Sequence, residues 1–399
     1  MKSRPSRDEM RGGFLKFKSK SPERLVASRR RFLAGAASLA GGAASAGFPA
    51  TAVAQAPVHL RWQGAWSARD IFHEYALDYA KRVSDMSGGR LRIEVLPAGA
   101  VVKPQDLLVA THKGVLDGCH AVPELWRSKN TAFALFGAGP ALGMDANNVL
   151  AWMEYGGGKE LYEELQHRQL ALEVVGFLYG PMPTQPLGWF RKPVTSPAQF
   201  KGLRIGATGI ATQLFQEMGA NATELPADEA AAALDEGRLD GAALNNASSD
   251  LQLGLPKAAG HCMLQSYHRP AEVFEILINR KRFDALPAEL RAILNYAAEA
   301  ASAGMSWKAI HRYSDDQVQL RERQGRRFHR TPATVLRAQM GAWRTVAARM
   351  SQDNPFFARV LESQLAWARR TVGWALDTLV DPRIAYDYWF EKKPAAAKR

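Results

Sequence analysis

The residues able to do chemistry are scattered, and none sits at a spacing that makes a catalytic centre. The 399 residues contain no G-x-S-x-G elbow, no H-E-x-x-H, no G-x-x-x-x-G-K-[ST] loop and no C-x-x-C pair. The arrangements that prepare a serine nucleophile, a zinc-bound water, a phosphate cradle or a redox dithiol are therefore missing. Of the nine histidines, His261 and His268 are the nearest pair in the candidate ligand region, yet no further ligand follows at zinc spacing. The YGGGKE run at 155–160 shares only its glycines with a phosphate loop and reads as a helix break. Cys119 and Cys262 leave two readings open, a disulfide or a pair of buried thiols. What remains is binding chemistry. Asn245, Asn246 and Ser248 offer neutral hydrogen bonds to a ligand or, equally, a helix cap. Trp126, Trp189 and Phe190 supply apolar walls or plain core, and Tyr179 and His120 fall at strand ends expected to face a cleft.

The elements that must position these groups alternate between period-two and period-3.6 patterns, the signature of βα units and a mostly parallel sheet. Strands are expected at HLRWQGAW (59–66), LRIEVLPAG (91–99), 117–121, 172–178 and 187–191, with a helix over 68–86, another near 105–113, and a helical stretch at 146–169 broken by glycines. A second set begins at GLRIGATG (202–209), a strand entering a turn that glycine permits, followed by helices at 210–218 and 228–236 and a strand at 239–244. The strand at 274–279 returns to the first set. An Ala-rich helix over 287–326 then runs longer than one small domain is wide. Two βα sets between which the chain crosses more than once make two lobes, a hinge and a cleft, the usual place for a small ligand.

Charge excludes one partner class. The formal net charge of +13 looks like a nucleic-acid footprint, but residues 1–54 alone carry 11 Lys/Arg against 3 Asp/Glu, leaving 41 against 36, a mild +5, for the rest. That leader, with Arg29-Arg30-Arg31-Phe32-Leu33 before a weakly apolar Ala/Gly stretch ending near Ala54, has the layout of a twin-arginine export signal. No later segment is apolar for long enough to cross a bilayer. The expected location is the periplasm.

Several runs resemble one known family, the solute-binding receptors of tripartite ATP-independent periplasmic (TRAP) transporters, and within it the 2-oxo-acid-binding branch. They are MSGGRLRIEVLPAG (86–99), GVLDGCHA (114–121), AWMEYGGGKELYEEL (151–165), GWFRKP (188–193), QFKGLRIG (199–206) and ALDEGRLDGA (233–242). The resemblance implies an α/β, two-lobed periplasmic binding protein fold of type II-like form with a long helix spanning both lobes. Its expected divisions are 57–184 plus about 274–310 as lobe I, 185–273 plus about 311–345 as lobe II, and 346–399 as C-terminal helices that join a homodimer. It further implies capture of a small anionic ligand, a 2-oxo acid or other carboxylate, delivery to TRAP membrane permease subunits, and no enzymatic activity or nucleic-acid partner. A periplasmic sensor module, or a receptor for a neutral or aromatic ligand, is the alternative.

The resemblance also marks departures. Gln185 falls on the family's ligand-contacting glutamine. Gly206 stands where the family places the arginine that pairs with the ligand carboxylate, and Arg204 does not substitute for it directly. Ala243-Leu244 replace a Glu-Trp pair that helps hold a metal ion in this branch, and Arg269 replaces a further glutamate. The expectation is a coupled change: the metal site of relatives is lost, no cofactor is needed, and Arg269 meets the ligand carboxylate, unless it turns outward or pairs with Glu272 or Glu275. With Asn245 and Trp189, these positions make up the candidate pocket.

Overall fold

The computed structural model describes residues 56–390 other than 138 and 184, so the segment 1–54, expected from the sequence to be an export leader, and the chain after 390 lie outside the described residues. β1 (Val58–Gly64) buries Leu60 and Trp62 while Arg61 faces solvent, the alternation of a half-covered strand. α1 (Ile71–Met86) starts on Asp70, whose carboxylate accepts the Phe72 N–H, and turns Phe72, Tyr75, Tyr79 and Val83 inward. β2 (Leu91–Leu96) and β3 (Gly118–Ala121) flank β1 in parallel. The glycine break falls where expected: α2 (Ala146–Tyr155) and α3 (Gly158–Glu163) meet at Gly157, whose φ of +83° lies in left-handed space open to glycine at little cost.

β4 (Val174–Met182) completes the first sheet, in which β10 (Glu272–Asn279) runs antiparallel between β3 and β4, giving the order β2-β1-β3-β10-β4. Every residue of β10 is buried. Phe274, Ile276 and Ile278 join one apolar cluster with α1, and Val273 and Leu277 join another on the opposite face. A strand buried on both faces reads as a continuous apolar run, which is why 274–279 was legible.

The second sheet comprises β5 (Gly188–Phe190), β6 (Arg204–Ala207), β7 (Asn221–Glu224), β8 (Gly241–Ala243), β9 (His261–Leu264) and β11 (Arg327–Arg330), in the order β11-β9-β5-β8-β6-β7. It carries α4 (Ile210–Glu217) and α5 (Ala247–Leu253). The chain passes between sheets at 183–187 and 265–271, and a third time along α6 (Ala288–Glu322). At 35 residues, α6 is about 52 Å long at 1.5 Å per residue. It packs on β4 and α1 of the first lobe and on α5 of the second, so the long helix does span both. α7 (Ala333–Asp353), α8 (Pro355–Thr378) and α9 (Pro382–Phe390) end the described chain. The α8 residues Phe356, Phe357 and Val360 pack into the first lobe's core.

Cys119 and Cys262 are free and buried, on β3 of one sheet and β9 of the other, which removes the disulfide reading. Trp126 is core: its indole N–H donates to Glu275, which also accepts from the Tyr162 hydroxyl. Phe190 packs inside the second lobe. Tyr179 and His120 are a correction. Both are fully buried, hydrogen-bonded to each other and packed on Phe274, because β3 and β4 flank the central strand and α1 covers their face. Burial drives the His120 pKa down to about 3, so its ring is neutral.

Candidate functional site

The polar groups that meet between the lobes come from segments with no fold to complete. Gln185 and Arg269 lie on the two crossing segments and are tied there by a backbone hydrogen bond, Gln185 N–H to Arg269 carbonyl, at 3.2 Å. The Gln185 side chain donates to Glu272 at 2.5 Å and to Asn245 at 3.3 Å. Its carbonyl oxygen Oε1 is buried and, among the described residues, unpartnered, an acceptor left open at a cost unless a ligand or water meets it.

Arg269 is 7% exposed, and its guanidinium is the centre of the cluster. One terminal nitrogen donates to Glu124 at 2.6 Å and to Thr208 at 3.2 Å, the other to Glu272 at 3.4 Å. The arginine therefore neither turns outward nor pairs with Glu275. It pairs with Glu272, as one reading allowed, and with Glu124, which sequence reasoning missed. Burial raises the Glu272 carboxyl above its ordinary range, with Arg269 opposing.

Glu124 belongs to the first lobe, on the turn after β3, yet its other oxygen accepts the Ile210 N–H at the start of α4 in the second lobe at 2.6 Å. Gly209 makes the approach feasible. With φ +63° and ψ −146° it borders a region reserved for glycine, and a Cβ there would lie 2.1 Å from the Glu124 carboxylate. Two more contacts join the lobes: Ser249 donates to Asp70 at 3.0 Å, and Arg127 pairs with Glu224.

The other candidate positions fall as follows. Gly206 faces apolar side chains, since a Cβ there would come within 2.6 Å of Leu225 and 2.9 Å of Leu239; leucines fill the space a side chain would enter. Arg204 is committed to Asp240 in a bidentate pair at 2.9 and 2.6 Å on the surface. Ala243 and Leu244 are buried in two different apolar clusters and bring no side-chain oxygen. Asn245 touches the cluster through Gln185. Asn246 caps α5, accepting the N–H groups of Ser248 and Ser249, and the Ser248 hydroxyl goes to Asp316. Trp189 is fully buried, with its N–H on Asp250 at 3.0 Å. His261 bonds His329, and His268 bonds Ser266, so neither histidine serves a shared site.

Asp250 is a second buried electrostatic feature, on α5 of the second lobe. Burial raises its carboxyl to about 8 from an ordinary 3.8, and burial raises Glu275 to about 7. Because both hold a proton more tightly folded than unfolded, their stabilising contribution is full below about pH 4 and is lost as pH rises through about 7–8. Denaturation midpoints are expected to fall between about pH 5 and pH 9, and Asp250→Asn to flatten that fall; an equally steep profile in the variant would refute the assignment.

A cavity of about 610 Å³ lies beside the same crossing segments, lined by Pro183, Pro186, Tyr267, Ile310, Tyr313 and Phe328 among others. Its size suits a small molecule, but its lining contains no charged side chain. The buried guanidinium of Arg269 lies outside that lining.

Two α/β lobes joined by two crossing segments and a helix spanning both, with a buried polar cluster at their contact, make this a two-lobed solute-binding protein. The chain belongs to the bacterial extracellular solute-binding protein family 7, whose model matches residues 63–353. A monocarboxylate 2-oxoacid-binding periplasmic protein from Nostoc is 30% identical over 226 residues, 57% of this chain and 61% of that protein. The alignment thus spans about three fifths of that relative. A TRAP periplasmic solute-binding protein from Colwellia psychrerythraea, with bound calcium and pyruvate, superposes with a TM-score of 0.76 at 25% identity, covering 84% of this chain and all of that one. Another from Bordetella bronchiseptica, a dimer with calcium and picolinate in its active site, gives a TM-score of 0.76 at 23% identity over 84% of this chain and 97% of that one. The fold expected from the sequence is the fold observed.

Proposed function

We propose that this chain is a TRAP-type receptor that captures a small organic acid between its lobes and presents the closed form to a membrane permease, without chemistry of its own. One observation carries the reading: Arg269 is a buried guanidinium at the lobe contact, donating to Glu272, to Glu124 of the first lobe and to the Thr208 hydroxyl of the second. A guanidinium offers a planar fork matched to a carboxylate, and a dry site strengthens each such bond. Lobe closure shifts with ligand because only the closed form completes those contacts. The twin-arginine leader agrees with an exported protein, since the family is extracytoplasmic.

The metal of relatives does not fit these residues. Calcium takes six to eight oxygen ligands. Among the described residues no three His, Cys, Asp or Glu side chains gather as a cage, the Ala243-Leu244 position supplies none, and the Glu124 and Glu272 oxygens are already engaged by Arg269, Ile210 and Gln185. Arg269 is the cation in its place. Calorimetric titration with pyruvate, picolinate and matched neutral amides, with and without chelator, tests this: a carboxylate should bind alike in both, and selective binding of the amides would overturn it.

We also propose a homodimer through the C-terminal helices. Ile384, Tyr386, Tyr388, Trp389 and Phe390 on α9, with Trp374, Leu376, Leu379 and Val380 before it, are all more than half exposed, an apolar extent that monomers rarely leave in water. Removing the chain from Leu379 onward is expected to halve the mass seen by light scattering; an unchanged mass would place the interface elsewhere.

A further inference from the structure

The carboxylate of Glu124 sits where a ligand carboxylate would be expected to sit. It crosses from the first lobe into a cradle built by a crossing segment and the second lobe: the Arg269 guanidinium at 2.6 Å and the Ile210 N–H at 2.6 Å. Thr208 shares the same guanidinium nitrogen at 3.2 Å. The cradle shows the marks of a built anion site. Its cation is 7% exposed and Glu124 itself 5%, so the pair is dry. The N-terminal end of α4 adds positive dipole character behind the Ile210 N–H, and Gly209, the one residue type that leaves room, stands where a side chain would evict the carboxylate. Beside it, Gln185 Oε1 is buried with no partner. Nothing in the first lobe's own fold requires the Glu124 side chain to reach so far: it follows Pro123 at the start of a single 3-10 turn, and its side-chain hydrogen bonds go to Arg269 and Ile210.

We infer that Glu124 is an internal stand-in for the ligand: it fills the anion cradle of Thr208, Ile210 and Arg269, latches the two lobes together when no ligand is bound, and sets affinity because an incoming carboxylate must displace it. The inference rests on the receptor reading above for its ligand, but the latch itself does not depend on what the ligand is. Arg127, one turn further on, reinforces the latch through Glu224, whose other oxygen accepts the Gly209 N–H at 3.3 Å. A carboxylate of the protein is tethered and therefore present at high effective concentration, so only acids making further contacts, for example to the open Gln185 acceptor, exchange with it. Selectivity against bare small anions follows from that competition.

Glu124→Gln keeps the shape and the bond from Ile210 while removing the charge, and Glu124→Asp keeps the charge on a stem too short to reach. Small-angle scattering of unliganded protein and calorimetry with pyruvate are measured on both variants and the parent. Expected are a larger radius of gyration for both unliganded variants and a pyruvate Kd on the order of tenfold lower for Glu124→Gln, whose competing charge is gone. Folded variants with the parent's radius of gyration and affinity would overturn the latch, as would loss of pyruvate binding in Glu124→Gln, which would make Glu124 a ligand contact. Should Glu124→Gln not fold, the scattering of Glu124→Asp decides. Should no acid bind any of the three, the receptor reading fails while scattering still decides the latch.

Discussion

Replacing Arg269 with methionine is expected to lower folding stability by about 3–5 kcal/mol near neutral pH, the usual consequence of removing one partner from a buried charge cluster. Methionine roughly preserves the volume, so the loss reports electrostatics and not a cavity. Two carboxylates, Glu124 and Glu272, both 5% exposed or less, would be left facing each other without their cation. The sign of the pH response follows. Burial already raises the Glu272 carboxyl and Arg269 is what opposes it, so without Arg269 the folded value rises further above the unfolded one, and the variant regains stability as pH falls and loses more as it rises. Denaturant titrations at about pH 5 and pH 8 should show a gap between parent and variant that narrows at the lower pH. A gap that is constant with pH would mean that the cost is packing alone.

Gly209→Ala is the second large effect. The backbone there, at φ +63° and ψ −146°, costs a residue with a Cβ about 1–3 kcal/mol, and the added methyl collides with the Glu124 carboxylate at 2.1 Å. The two costs are separable by a double-mutant cycle with Glu124→Ala. Coupling of about 0.5–3 kcal/mol is the range for residues in contact, so the alanine at 209 should cost less once the carboxylate is gone. Strict additivity of the two substitutions would show that Gly209 is needed for its backbone conformation only, and would weaken the case that the cradle is shaped around Glu124.

The fold was far more legible than the site, and particular residues show why. β10 announced itself because FEILIN sets Phe274, Ile276, Leu277 and Ile278 close together with Glu275 the one charge among them, and α6 because 35 residues of Ala-rich helical pattern have no rival reading. β7, β9 and β11 were missed: each is short, four residues, and β7 and β11 are sheet edges carrying polar side chains, so no apolar run marks them. At the site, Gln185 and Arg269 were found through resemblance, and the break from a metal-binding pattern at Ala243-Leu244 was visible in the same way. Glu124 was not. In VPELW it reads as an ordinary first-turn acid after proline, and its partners lie 86 residues away at Ile210 and 145 away at Arg269. Only the lobe-to-lobe geometry brings them together. One sequence signal pointed there, the GATG turn at 206–209, whose second glycine proved to be the residue that admits the carboxylate. His120 and Tyr179 erred in the opposite direction: large and polar-tipped, they look like pocket walls, but they are buried inside the first lobe and hydrogen-bonded to each other, whereas Trp189, with its N–H on Asp250, does line the cavity beside the crossing segments.

The central claim is that a small carboxylate is held at Arg269 without a metal ion. Native mass spectrometry of the protein purified from the periplasm under gentle conditions reads both parts of it at once, because the mass of the intact complex reports ligand and ion together. The expected spectrum contains a bound species heavier than the free chain by one small organic acid, with no accompanying calcium or sodium in stoichiometric amount. A complex that retains a neutral molecule, or that carries one calcium or sodium ion per bound acid, would contradict it.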